Sequence, residues 1–267
     1  MLIAEIHGKR LEATRNSEDY LTSAVFGHLR YIGPGLFWDT LFAKAGGIPD
    51  PDGNELSLGK LLAETGSSPS GYSRLQTYFW SFHPSHGEPD LILVFTGSEL
   101  TPLVLLIEVK LRSEKSGTGD NDQLVRYLRV LDDLQAIGIH VPEDAPRYLV
   151  YLTPQESIAE LMASVDCSDC PATGRHRLFR LQWQDVLEAA KSTSRHYQEP
   201  TSLILGDIAT FLREWGLEYF GGMTRLTGLT HFPNSLGQFY RPTHSGFHGL
   251  THESKLELIE IQGGRWL

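Results

Sequence analysis

Two short apolar runs, residues 91–95 and 103–107, constrain this chain more than any other feature. Both are rich in Val, Ile, Leu and Phe. Thr96-Gly97-Ser98-Glu99-Leu100-Thr101-Pro102 separates them, which is the pattern of a β-hairpin. With the turn centred near Glu99, position 90 falls opposite position 108, so Asp90 and Glu108 face each other across the ladder. Like charges directly opposed destabilise a strand pair. The second run has no apolar-polar alternation before Glu108. Val104 and Leu106 share its face and Leu105 and Ile107 take the other, so this strand is covered on both sides. Buried like charges need a compensating cation. Lys110, on the same face as Glu108, is one source, and a divalent metal ion is the other.

A Glu-x-Lys triplet alone reads as a salt-bridged strand end reaching solvent. Here Glu108-Val109-Lys110 ends a covered strand, faces an Asp that follows Pro89, and precedes a helix with further polar residues. The spacing predicts that helix over 122–136, with Leu124, Leu128 and Leu131 on its apolar side. Gln123 and Tyr127, four residues apart, share a neighbouring side, where an ordinary boundary face is the bland alternative. Between strand and helix, residues 111–121 are polar and glycine-rich. They read as a mobile loop at the mouth of a site and lack the Gly-Lys-Ser/Thr ending of a phosphate loop. Upstream, Asn16 or Ser17 caps a helix whose first turn holds Glu18 and Asp19 and which Gly33-Pro34-Gly35 stops. Strands are expected near 73–82, 89–95, 103–111 and 147–152, the last parallel to the third because a helix connects them.

At this point the residues resemble a known group. Pro89-Asp90, with Glu108-Val109-Lys110 after the second strand, resembles the signature of the PD-(D/E)XK, or restriction-endonuclease-like, superfamily. Gln123 and Tyr127 resemble the Gln-x-x-x-Tyr motif of its RecB-type and lambda-exonuclease-type branch, and the likeness spans about residues 15 to 155. It implies an α/β fold with a restriction-endonuclease-like core: a helix, a three-stranded antiparallel meander, a helix and a parallel strand, with flanking helices. Residues 1–220 would form the nuclease-like domain and 221–267 a C-terminal extension packed on it.

The resemblance also implies chemistry. Phosphodiester hydrolysis needs a charged transition state neutralised and a water activated, and hard cations that do this take oxygen ligands. The implied cofactor is Mg²⁺, with Mn²⁺ as a substitute, held by Asp90, Glu108 and Glu18, with Asp19 as the alternative to Glu18. Glu18 has a plainer reading as a first-turn carboxylate. Lys110 would orient the water and stabilise phosphate charge, Gln123 would orient the lysine or water, and Tyr127 would touch the phosphate or support the site. The implied activity is that of a nuclease acting on nucleic acid, DNA before RNA. The class-distinct alternative is a catalytically silent module that keeps the fold to bind nucleic acid or a protein partner.

Composition bounds both readings. With 40% hydrophobic and 21% charged residues, the 267-residue chain reads as a globular protein. It has no apolar run near membrane-spanning length and no signal-peptide layout at its start, so a cytoplasmic protein with no membrane partner is the expectation. Self-association is compatible with it. Net charge is −10, with 13 Lys and Arg against 20 Asp and Glu in residues 1–150, so no general basic footprint for nucleic acid exists. Cys167-Ser168-Asp169-Cys170 reads as two loop thiols rather than half a zinc site, since only His176 lies near with ligand chemistry. His244, His248 and His252 recur every four residues, but the glycines and prolines around them argue against a helical metal face.

Overall fold

Every residue of one strand, β3 (Leu103–Val109), is buried, and the sheet is built outward from it. The computed structural model describes residues 18–111 and 115–219, all within the first of two units into which the chain divides, Met1–Tyr219. Apolar and polar residues alternate over 1–10, which predicts a strand there; that segment, the caps Asn16 and Ser17, and the 221–267 extension with His244, His248 and His252 lie outside the described residues.

β1 (Arg74–Phe79), β2 (Leu91–Thr96) and β3 form an antiparallel meander. β4 (Arg147–Thr153) and β5 (Leu178–Gln182) then add in parallel, giving a five-stranded mixed sheet in sequential order. Leu91 pairs with Ile107, so one further step puts Asp90 opposite Glu108, as the turn arithmetic requires. The parallel pairing of β3 and β4 follows from the helix between them.

The two faces carry different helices. Leu93, Phe95, Leu105, Ile107, Val150 and Leu181 pack against α1 (Glu18–Leu29), α2 (Leu36–Ala43), α3 (Leu58–Glu64), α7 (Trp183–Ser194) and α8 (Thr201–Glu214). Ile92, Val94, Val104, Leu106, Leu149 and Tyr151 pack against α4 (Gln123–Asp132) and α5 (Ile158–Val165). A short helix, α6 (Gly174–Arg177), leads into β5. The strict alternation along β2 and β3 is why neither strand shows apolar-polar alternation in sequence: both faces are core. Each such side chain contributes about 1.5–3 kcal/mol on burial.

Element ends differ from the sequence expectation for identifiable reasons. β1 stops at Phe79 instead of 82 because Trp80 turns into the left-handed region at φ 46°. α4 ends at Asp132, and the expected continuation to 136 is a 3₁₀ turn, Leu134–Ile137, closed by the left-handed Gly138. The amphipathic pattern of 201–220 predicts a helix ended by Gly221-Gly222, but α8 ends at Glu214. Gly216 sits at φ 71° while Leu217 donates its N–H to the Leu212 carbonyl and Gly216 to that of Arg213. That is a glycine C-cap, which the sequence displays at Gly216.

Candidate active site

The site lies where the antiparallel hairpin meets the parallel half of the sheet, on the face covered by α4. Asp90, just ahead of β2, accepts the Val109 N–H on Oδ2 at 2.8 Å. Glu108, near the end of β3, is 2% exposed. Its Oε1 accepts from Lys110 Nζ at 2.8 Å and from Gln123 Nε2 at 2.7 Å, while its Oε2 is buried with no donor. Gln123 is the first residue of α4, and one turn on Tyr127 meets its Nε2 at 3.3 Å. The Tyr127 hydroxyl donates to the Glu88 carbonyl at 2.9 Å, tying the helix to the segment that carries Asp90.

Burial dominates the electrostatics. It pushes the Asp90 carboxyl from 3.8 up to about 6, against the Val109 N–H and the Lys110 charge, which pull it down. The Glu108 carboxyl is pushed well above its ordinary range by burial and then by Asp90. Asp90 also raises Glu108, whereas the Val109 N–H and the Lys110 charge hold Asp90 down, so Glu108 is the member that keeps a proton longer. For Lys110, burial alone would depress the ammonium, but the Glu108, Glu18 and Asp90 carboxylates outweigh it and move the group upward. Tyr127 is pushed up by burial and by Glu108, so it remains a neutral donor.

Asp90, Glu108, Lys110, Gln123 and Tyr127 thus form one cluster. Glu18, the first residue of α1, reaches the end of β3 from the other face of the sheet: Oε1 accepts the Leu111 N–H at 3.1 Å and Oε2 lies 3.9 Å from Lys110 Nζ. Its carboxylate therefore meets the lysine and the backbone. No group of three or more His, Cys, Asp or Glu side chains able to hold a metal is found among the described residues. Asp90 and Glu108 offer two carboxylates, one with a buried oxygen that lacks a donor, and Asp19, the alternative to Glu18, lies near enough to raise the Asp90 carboxyl. Mg²⁺ binds through one or two carboxylates and keeps several waters, so Asp90 and Glu108 fit a hard divalent cation.

No family model, curated protein or solved structure matches the chain.

Several of its residues escape a sequence reading. Tyr151 pairs with Glu108 in the β3–β4 register, and its hydroxyl bonds to Glu160 Oε2 at 2.8 Å. A signal for Tyr151 existed, because a parallel strand over 147–152 has to put a residue beside Glu108. Trp183, fully buried, donates Nε1–H to the Lys110 carbonyl at 2.9 Å. The loop after Lys110, expected to be mobile, is anchored over its described part. Lys115 is paired with Asp122, and Ser116 exchanges both backbone and side-chain bonds with Gln123.

Further along the same face, Arg180 of β5 stands beside Tyr151 and borders a polar cleft of about 230 Å³ with Lys44, Glu156 and Asp185. Both cations there are already paired, Arg180 with Glu55 and Glu156 and Lys44 with Glu188. Cys167 and Cys170 are free thiols, and burial pushes Cys170 up, away from the reactive thiolate. No helix among the described residues is long and apolar enough to cross a membrane.

Proposed function

We propose that this chain is a metal-dependent nuclease with a restriction-endonuclease-like core, hydrolysing phosphodiester bonds of nucleic acid, DNA before RNA. The observation that carries the reading is the pairing of Asp90 with Glu108 at the end of a hairpin, with Lys110 and Gln123 bonded to one Glu108 oxygen and the other left without a donor. A salt-bridged strand end would have no use for a second carboxyl opposed to the first. A site prepared for a cation would.

Asp90 and Glu108 would hold Mg²⁺ or Mn²⁺. When bound, the cation neutralises the two carboxylates and supplies positive charge where the phosphate becomes more negative. The chain's own residues do the rest. Lys110 keeps its proton and presents an ammonium beside the carboxylates, where it can offset charge on a phosphate oxygen. Gln123 and Tyr127 hold Glu108 and the Asp90 segment in place through the amide and the phenol.

A second reading keeps the fold as a binding module for nucleic acid or a protein partner, and the net charge of −10 favours the protein. One experiment separates the two. Linear, circular, single-stranded and double-stranded DNA and RNA are incubated with the full chain, with and without Mg²⁺. Cleavage that requires the metal is expected. No cleavage of any substrate would reject the nuclease in favour of the module.

A further inference from the structure

A second buried charge pair lies next to the site and takes no part in the chemistry above. Lys115 Nζ is paired with Asp122 and donates to Ser164 Oγ at 2.7 Å. The Lys115 side chain is 11% exposed, and Asp122 and Ser164 are almost completely buried. Asp122 is the N-cap of α4, and its Oδ1 accepts from Leu124 N at 2.9 Å and from Val125 N at 3.3 Å. The Lys115 N–H points to Glu160 Oε2 at 3.4 Å, the oxygen that also receives the Tyr151 hydroxyl. An isolated buried ion pair generally costs as much in desolvation as it returns in attraction. This one needs a reason beyond stability.

The reason is in the next residue. Ser116 donates its backbone N–H to Gln123 Oε1 at 3.2 Å, and Gln123 returns its own N–H to the Ser116 carbonyl at 3.1 Å. A backbone N–H can only face the oxygen of a side-chain amide. With Oε1 held by Ser116, the NH₂ end has to point the other way, toward Glu108 and Tyr127. If Ser116 moved, only the repulsion between a flipped Oε1 and a Glu108 oxygen would hold the amide in this orientation. We propose that Lys115 is a positioning residue: its ion pair with Asp122, braced by Ser164, holds Ser116 where it selects the Gln123 amide orientation that donates to Glu108. This rests on Gln123 and Glu108 belonging to the proposed site, but the amide can be observed without any substrate.

The test is side-chain amide exchange, read by NMR on the full chain labelled with ¹⁵N-glutamine, the Gln123 signal being assigned by its loss in Gln123→Leu. The double variant Lys115→Met/Asp122→Asn removes both charges and retains a capping side chain. Its Gln123 NH₂ protons are expected to exchange at least tenfold faster than in the wild type. Those of Gln184, which donates to the Pro154 carbonyl at 3.0 Å, should be unchanged. Lys115→Arg, which keeps the cation, should retain protection. Unchanged Gln123 exchange in the folded double variant overturns the proposal. So does equal acceleration at Gln184, or failure of both variants to fold, because either marks the pair as a general stability element. Absence of cleavage by the wild type in the digest counts against the nuclease alone and leaves the exchange result standing.

Discussion

Asp90 takes the backbone N–H of Val109 at 2.8 Å, the residue after its ladder partner Glu108. This bond fixes the aspartate across the end of the hairpin, where its charge pushes the Glu108 carboxyl up. The neighbouring pair of acids is therefore built into the strand register.

The first prediction concerns pH. Asp90 titrates near 3.8 when unfolded and about 6 when folded, so the folded state binds its proton more tightly. Stability linked to this group is full below about pH 4 and is lost as pH rises through 6. Asp90→Asn retains an oxygen for the Val109 N–H and offers an NH₂ toward Glu108. It should raise stability at pH 8 by about 1–3 kcal/mol, an order-of-magnitude figure from the size of the shift. The gain should vanish near pH 4. Urea titrations at pH 4, 6 and 8 check it, and a gain independent of pH would contradict the assigned cause.

Metal should act on the same pair of acids. Mg²⁺ or Mn²⁺ binding to the folded chain alone raises its stability by about 2.7 kcal/mol at a hundredfold excess over Kd. Thermal unfolding of the wild type should shift upward with Mg²⁺, while Glu108→Gln, which loses a charged ligand, should respond weakly. Calorimetric titration of both proteins gives the affinities, and equal values would move the metal elsewhere.

A third expectation concerns Trp183. In the parallel register Lys110 follows Val109, which pairs with Leu152, so the donor for the Lys110 carbonyl ought to be residue 154. That residue is Pro154, which has no N–H. The Trp183 indole supplies the missing donor at 2.9 Å. Trp183→Phe leaves the carbonyl unsatisfied and opens a cavity in the core, at a cost of about 2–4 kcal/mol. Chemical denaturation measures it, and a loss below 0.5 kcal/mol, the usual size of a surface substitution at about ±0.5 kcal/mol, would show that water replaces the indole.

The hairpin was legible because its register depends on local arithmetic: the turn near Glu99 alone sets 90 against 108. Gln123 and Tyr127 were legible because four-residue spacing on a helix is local too. Lys115, Ser164, Glu160 and Trp183 were not, since their partners lie up to 73 residues away and are chosen by packing. Pro154 was a readable sign that Lys110 needed a donor, though nothing in the chain named Trp183 as its source. The loop after Lys110 looked mobile from its glycines, yet Lys115 is bonded to Ser164 and Ser116 to Gln123. Glycine content describes what a backbone is free to do, and a buried charge pair decides whether it does so.

The last prediction separates enzyme from binding module. Lys110 is held by Glu108 at 2.8 Å and keeps its proton, so its charge is in place before any substrate arrives. A preorganised donor of this kind acts mainly on charge that develops in the transition state. Lys110→Ala should therefore lower single-turnover cleavage in Mg²⁺ by about 10²–10³-fold. Binding of the same DNA, measured in Ca²⁺, should change by much less. A lysine that only attracted phosphate would give the opposite pattern: weaker binding, most evident at low salt, with cleavage of the bound complex unchanged. That opposite pattern would remove Lys110 from the chemistry. The substitution also leaves Glu108 with Gln123 as its remaining side-chain donor on Oε1, so the variant should be less stable at pH 8 than at pH 5, where the carboxyl pair is more protonated. Cleavage must therefore be compared at a temperature where both proteins are folded.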